Sequence, residues 1–432
     1  MATRIVRGVF PSSVLHSAIR IPHFAISLSG LLLMASAAFA GPAEDYVTVQ
    51  LVVVSDLEAR LNEIATIADL AAKRLVAGGQ LYLAGEPGMV AELNVRAGGL
   101  CGAKAYPDAK KQPTAADVVL FSRYWPTRKP PPHHWTELAA TQALVVLVTP
   151  GKATLRSAPP ENVLVIPVAN APGGSMLGDG PEDIVIPRGP RTYAQALAIA
   201  QWTFVAELIG AGRRQGKQLA VYLSIHLDPG GKRFARTHGL MFEPDLRPEP
   251  VPRGEYAKAF LGHVRTALEA VQRDEAGKIR QAAAWLREAR AAGHKVVRHL
   301  HGHLPPAEVG LPGDPASLFT DTVTGEVGAK GAEWIRKNLG QGDVYLLVAY
   351  QQNEDAMAAA ANALGARTIF LTSLPPSPEQ AKNPLHLYIN PHWPLTDACL
   401  DLSGYDVKAC PLSGIMGMTA FSALCAEALA GQ

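Results

Sequence analysis

Three kinds of side chain in this sequence stand at spacings that chemistry could use. Glu92 precedes Arg96 by four positions, the spacing at which a carboxylate and a guanidinium meet on one face of a helix as an ordinary ion pair. His299, His301 and His303 alternate. Continued along a strand, they would project to one side, where they could hold a metal with help from His386 or His392, or line a ligand pocket. Gly302 is better read as the end of the strand, which breaks that geometry, so no metal is assigned. Gln351 and Asn353 lie between an apolar run and a helical stretch, Thr372 and Ser373 follow the next run, and Ser413 precedes the last helix. Ligands of open parallel sheets collect beyond the carboxyl ends of strands, where amides and hydroxyls suit a hydroxyl-rich ligand; the same side chains could equally cap helices. The chain has no nucleophile elbow, P-loop or HExxH motif, and Gly85 to Gly88 is no GxGxxG fingerprint, so no cofactor is expected.

These positions depend on elements that the chain writes twice. A helical stretch over residues 56–76 ends at Gly78-Gly79, apolar runs follow at 80–84, 116–121, 143–148 and 163–169, and a helix over 193–209 closes the unit. The plan then repeats: a helix over 278–292, runs at 295–300, 342–348, 367–371 and 385–389, and a closing helix over 415–430. Asp117 and Asp343 stand at the heads of corresponding runs, offset by 226, while Thr149 and Thr372 close the next pair, offset by 223. Short continuous apolar runs are strands buried on both faces. Alternating with helices, they give an α/β fold of two doubly wound parallel-sheet domains of flavodoxin type, in pseudo-twofold tandem over 41–212 and 256–432. Between them, residues 213–255 hold one apolar run and then Pro244, Pro248, Pro250 and Pro252, which predicts an extended connector. Residues 46–54 are rich in β-branched side chains, yet the repeat sets them opposite 256–270, which reads as helix; helix is favoured for both.

The first 40 residues read as a leader. Arg4, Arg7 and Arg20 accompany an apolar stretch over 24–35 that ends in Ala38-Phe39-Ala40, a signal-peptidase pattern, with no acidic residue before Glu44. The apolar core falls short of the roughly 18–20 residues that a span needs. The expectation is therefore cleavage, export to the periplasm or beyond, and no membrane attachment afterwards. Without those three arginines the chain has 37 Lys+Arg against 38 Asp+Glu, a balance that leaves no footprint for nucleic acid. Cys101, Cys399, Cys410 and Cys425 have no metal-site spacing. Cys399 and Cys410 could pair after export, but a chain of this length folds without disulfides, and buried thiols are favoured.

Several stretches resemble the sugar isomerase (SIS) family, and within it the bacterial phosphosugar-binding branch. They are Gly78-Gly79 leading a strand to Gly85, the run from Glu92 through Arg96 to Gly98-Gly99-Leu100, Gly342-Asp343 opening a strand, Thr372-Ser373-Leu374 closing one, Thr396-Asp397-Ala398, and Ala409-Cys410-Pro411-Leu412-Ser413-Gly414 before the last helix. The resemblance spans most of 56–110 and 256–430. It implies two SIS-like domains forming a pseudo-dimer, a pocket where strand ends of both units meet, a sugar or carbohydrate-derivative ligand, and a chain that could form a homodimer. It further implies Glu92 as a carboxylate base and His303 as a ring-opening partner for aldose–ketose isomerisation. Gly85, Gly88, Arg96, His301, Gln351, Asn353, Thr372, Ser373 and Ser413 would be the ligand-contacting positions. The chain departs from the family's Gly-x-Gly-x-Ser pattern at Gly85-Glu86-Pro87-Gly88-Met89 and at His301-Gly302-His303-Leu304-Pro305. Its Ser-rich loop is replaced by Ser122-Arg123-Tyr124-Trp125 and by Ala349-Tyr350-Gln351-Gln352-Asn353. A phosphate site needs hydroxyls and N–H groups converging at a helix start, and most of those hydroxyls are missing. The favoured expectation is an exported sugar-binding protein, catalytically degenerate, with phosphorylation of the ligand left open. The alternatives are an active isomerase and a partner-binding protein that keeps only the fold.

Overall fold

The structure is a computed structural model. It describes residues 41–106, 111–123, 135–150, 159–168, 193–225, 227, 229–311, 314–324, 327–350 and 354–430. From Gly41 onward the chain forms one compact unit.

The first half opens with two helices, α1 (Pro42–Ala59) and α2 (Leu61–Val76), and continues through β1 (Leu81–Gly85), α3 (Pro87–Leu93), β2 (Lys104–Ala105), β3 (Val118–Ser122), α4 (Trp135–Ala140), β4 (Leu144–Pro150), β5 (Val163–Val168) and α5 (Tyr193–Arg214). The connector carries α6 (Gly230–Thr237). The second half contains α7 (Glu255–Ala270), a π-helical turn at Val271–Glu275, α8 (Ala276–Ala291), β6 (Val296–Leu300), α9 (Leu304–Ala307), β7 (Asp321–Thr324), α10 (Gly328–Asn338), β8 (Val344–Val348), α11 (Asp355–Ala363), β9 (Arg367–Leu371), β10 (His386–Ile389), the hairpin strands β11 (Ala398–Leu400) and β12 (Ala409–Pro411), and α12 (Ser413–Ala430). Both sheets are parallel throughout. Their orders, β2-β1-β3-β4-β5 and β7-β6-β8-β9-β10, are the same 2-1-3-4-5 order written twice. The chain is thus two doubly wound α/β domains in tandem, of flavodoxin type.

The repeat holds at atomic detail. Asp117 accepts the Gln80 and Thr114 N–H groups at 2.8 and 2.7 Å; Asp343 accepts those of Lys295 and Gly340 at 2.8 Å each. Each aspartate closes its own turn and fixes the start of the neighbouring strand, which sets the register of the first strand pair in its half. β3 and β8 are wholly buried, as continuous apolar runs require.

One apolar cluster runs through both halves. Helices α5 and α12 are long and apolar enough to cross a membrane, but lie inside the fold, where a helix that is apolar on every side finds partners all round. α5 packs on α2 and α7, and α12 on α1 and α8.

Some elements differ from the sequence reading. Residues 46–54 are helical, as the repeat demanded over their β propensity. The helix expected over 56–76 is split at Arg60, whose φ of −112° and ψ of 14° leave the helical region, so residues up to Ala59 belong to α1. The connector is not wholly extended: it carries α6 and an internal bridge, Leu219↔Phe242, and the isolated bridge Leu100↔Val221 ties it to the first half. Two turns of helix are too short to show a period. The proline segment after it has no regular element. β7 was missed because Asp321-Thr322-Val323-Thr324 is a polar edge strand with no apolar run. Gly98-Gly99 stops no helix, since α3 already ends at Leu93.

Candidate functional site

A cavity of about 840 Å³ opens beyond the carboxyl ends of β6 and β8. Each wall has its own source. The segment after α3 brings Val95 and Arg96, the connector brings Tyr222, Ser224 and Ile225, and α6 brings Phe234. His301 and His303 follow β6, Tyr350 follows β8, and Asp397 precedes β11. First half, connector and second half all contribute.

The backbone is held in costly conformations to present this wall. Val95 has φ of +46° and Asp397 of +66°, where a side chain crowds its own backbone, most severely for a β-branched residue. Gly98, at φ +76°, is the fastening. Its N–H donates to the Tyr222 carbonyl at 2.8 Å and its carbonyl accepts from Cys410 N–H at 2.9 Å, joining the α3 segment to the connector and to β12. A Cβ there would stand 2.9 Å from that of Ala398.

Behind the wall lies a buried charge network. The Arg96 guanidinium meets the Glu92 carboxylate at 2.5 Å and the Asp397 carboxylate at 2.9 Å, and it donates to Ser413 Oγ at 2.9 Å. Asp397 also accepts the Ser413 N–H at 2.8 Å, and Trp202 Nε1–H of α5 donates to Glu92 Oε1 at 3.1 Å. All three charged side chains are buried. Glu92 and Arg96 do pair, but not as two residues of one helix: Arg96 lies beyond the end of α3. Burial raises the Glu92 carboxyl to about 7, more than the guanidinium and the indole N–H pull it down. Burial works against the Arg96 charge, yet Glu92 and Asp397 together hold its pKa above the ordinary value. The Tyr350 hydroxyl, raised first by burial and then by the Asp397 charge, hydrogen-bonds to Asp397 and Ser224.

The histidines part company. His299, on β6, is buried against the Tyr345 hydroxyl and does not line the cavity; burial pushes it down to about 4. His301 and His303 follow the strand's end and line the cavity, with Gly302 between them at φ +117°. His303 is open to solvent on one side but crowded by the wall on the other. That desolvation, with the Arg96 charge nearby, lowers it to about 4. Among the described residues no three His, Cys, Asp or Glu side chains gather as a metal site. The four cysteines are buried free thiols, and Cys399 Sγ–H points at the Cys410 carbonyl at 3.2 Å.

The remaining candidates fall in several places. Gly85 ends β1, and Gly88 on α3 faces Glu308; neither lines the cavity. Thr372 bonds the Tyr350 carbonyl, Ser373 is buried beside it, and Ser413 backs Arg96, so these three stand behind the wall rather than in it. Glu92 is also outside the lining, sealed behind Arg96. Gln351 and Asn353 lie outside the described residues. Sequence reasoning missed Tyr222, Ser224 and Phe234, because the connector was read as a spacer. It quoted Tyr350 and Asp397 within motifs without giving them a role.

No family model and no curated protein matches the chain. Among solved structures, the C-terminal domain of glucosamine-fructose-6-phosphate aminotransferase from Francisella tularensis is 10% identical, with 88% of this chain and 95% of that chain covered and a TM-score of 0.41. A phosphoheptose isomerase from Francisella tularensis is 12% identical over 40% of this chain and 94% of its own, with a TM-score of 0.29. Likenesses this distant bear on neither activity nor ligand.

Proposed function

We propose that this protein binds a sugar or carbohydrate derivative in the cavity beyond β6 and β8 and performs no chemistry on it. The cavity lining carries the reading. Aromatic rings of Tyr222 and Phe234 stand with the hydrogen-bonding groups of Ser224, His301, His303 and Tyr350 in a space of about 840 Å³. Apolar rings match the C–H faces of a sugar, hydroxyls and imidazoles match its oxygens, and the volume suits a small ligand. The position, past the strand ends of a doubly wound sheet, is where such folds place ligands.

Isomerisation requires a base within about 2.6–3.2 Å of the proton it removes. Glu92, the carboxylate that the family resemblance suggested, is sealed behind Arg96, and Asp397 is committed to Arg96 and Ser413. These placements support binding over turnover. With the leader at Ala38-Phe39-Ala40, the ligand would be met outside the cytoplasm.

Thermal unfolding against a panel of sugars, amino sugars and sugar phosphates tests this, because a ligand that binds only the folded state raises the transition. A shift from one sugar class, reduced by His301→Ala or by Phe234→Ala, supports the reading. No shift at millimolar concentration refutes it, and aldose–ketose turnover would replace it with isomerisation.

A further inference from the structure

The positive charge of the cavity is committed before any ligand arrives. Among the described residues that line it, Arg96 is the one permanent cation. Its guanidinium is held between Glu92 and Asp397, so the wall presents no net positive charge to a solute. The last donor of that guanidinium, Arg96 Nε, has no hydrogen-bond partner but is itself buried, so it is not open to a solute. A phosphate dianion needs several open donors and a counter-charge, and this guanidinium offers neither.

The helix starts after the strands point the same way. A phosphate is ordinarily held there by free backbone N–H groups. α3 begins at Pro87, and the first turn of α9 contains Pro305 and Pro306, which have no N–H to give. α11 begins with two carboxylates instead. Buried Glu354 accepts the Gly328 N–H at 2.9 Å, and Asp355 accepts the Ser377 N–H at 3.1 Å. Among the described residues at these three helix starts, the donors and the positions a phosphate would use are thus absent or already taken by protein anions.

We infer that the cavity selects an uncharged sugar and rejects its phosphate ester, with Asp397 as the specificity-determining residue that cancels the charge of Arg96. This rests on the proposed sugar-binding reading and names its ligand class. Removing a carboxylate from the network frees the guanidinium and turns the cavity toward anions.

Calorimetric titration of the full chain with glucose and glucose 6-phosphate, fructose and fructose 6-phosphate, and N-acetylglucosamine and its 6-phosphate tests it. In any pair that binds, the free sugar should bind at least about tenfold more tightly, a difference of about 1.4 kcal/mol. Asp397→Asn should narrow or invert that ratio by gaining affinity for the ester. If that variant does not fold, Glu92→Gln removes the other carboxylate and should act in the same direction. A phosphate ester that binds wild type as tightly as its sugar overturns the inference and leaves sugar binding standing. A folded Asp397→Asn or Glu92→Gln variant with an unchanged ratio also overturns it. Failure of every sugar and every ester to bind overturns both readings.

Discussion

The guanidinium of Arg96 and the carboxylate of Asp397 meet at 2.9 Å although 301 positions separate them in the chain. With Glu92 the pair forms a fully buried carboxylate–guanidinium–carboxylate row that spans the two halves of the molecule. Removing the central cation leaves two carboxylates buried without a partner. Arg96→Met should therefore cost about 3–5 kcal/mol of stability, read as a fall in the urea midpoint. A loss under about 1 kcal/mol, typical of a surface pair, would mean that water reaches the network.

Gly414 reports on the same network from the other side. A Cβ at that position would lie 2.2 Å from Glu92 Oε2, so the first turn of α12 can pass the carboxylate only because this residue has no side chain. Gly414→Ala should destabilise by about 1–3 kcal/mol through overpacking. In a Glu92→Ala background the added methyl has room, and the cost of Gly414→Ala should largely vanish. Additive losses, within about 0.5 kcal/mol, would show that the two residues are not in contact.

Glu92 makes stability depend on pH in an unusual direction. Its carboxyl is raised from 4.5 to about 7 in the folded protein, so the folded state holds this proton more tightly than the unfolded chain. The contribution is fully present below about 4.5 and is lost as pH rises through about 7. His299 acts oppositely: with its folded pKa lowered to about 4, its contribution is full above 6.5 and fades as pH falls through about 4. The two trends overlap in wild type, but Glu92→Gln removes one of them. The stability of wild type relative to Glu92→Gln should decline between pH 4.5 and pH 7, measured by denaturant titration at half-unit steps. A flat difference would mean that Glu92 titrates alike in both states.

The repeat was legible because it rests on local signals: continuous apolar runs, and aspartates that close turns at matching offsets. The cavity was legible only in part. Arg96 and His301 could be named from motifs, but nothing local says that Asp397 balances Arg96, since their meeting depends on how two distant halves pack. The connector was undervalued for a related reason. Its prolines exclude regular structure where they stand, while just upstream Tyr222 and Ser224 flank the Leu100↔Val221 bridge to the first half and Phe234 is carried by α6. Glu92 shows the converse error: its spacing from Arg96 predicted a pair correctly, but only burial shows that the pair is closed to a ligand.

Gly85 and Gly302 sit near the ends of equivalent strands, yet substitution should separate them. Both have φ in the left-handed range, +107° and +117°, so any side chain strains the backbone at either site. At Gly302 a Cβ would meet nothing within 4 Å, because the position faces the cavity. Gly302→Ala should therefore cost only the strain, about 1–3 kcal/mol, and should also weaken ligand binding by intruding on the cavity. At Gly85 a Cβ would lie 2.0 Å from the Ser122 carbonyl oxygen, which is backbone and fixed by pairing between β1 and β3. Gly85→Ala must displace a central strand as well as strain its own residue, so its loss in urea denaturation should exceed that of Gly302→Ala. Equal losses would mean that β3 yields freely, against the buried packing of that strand.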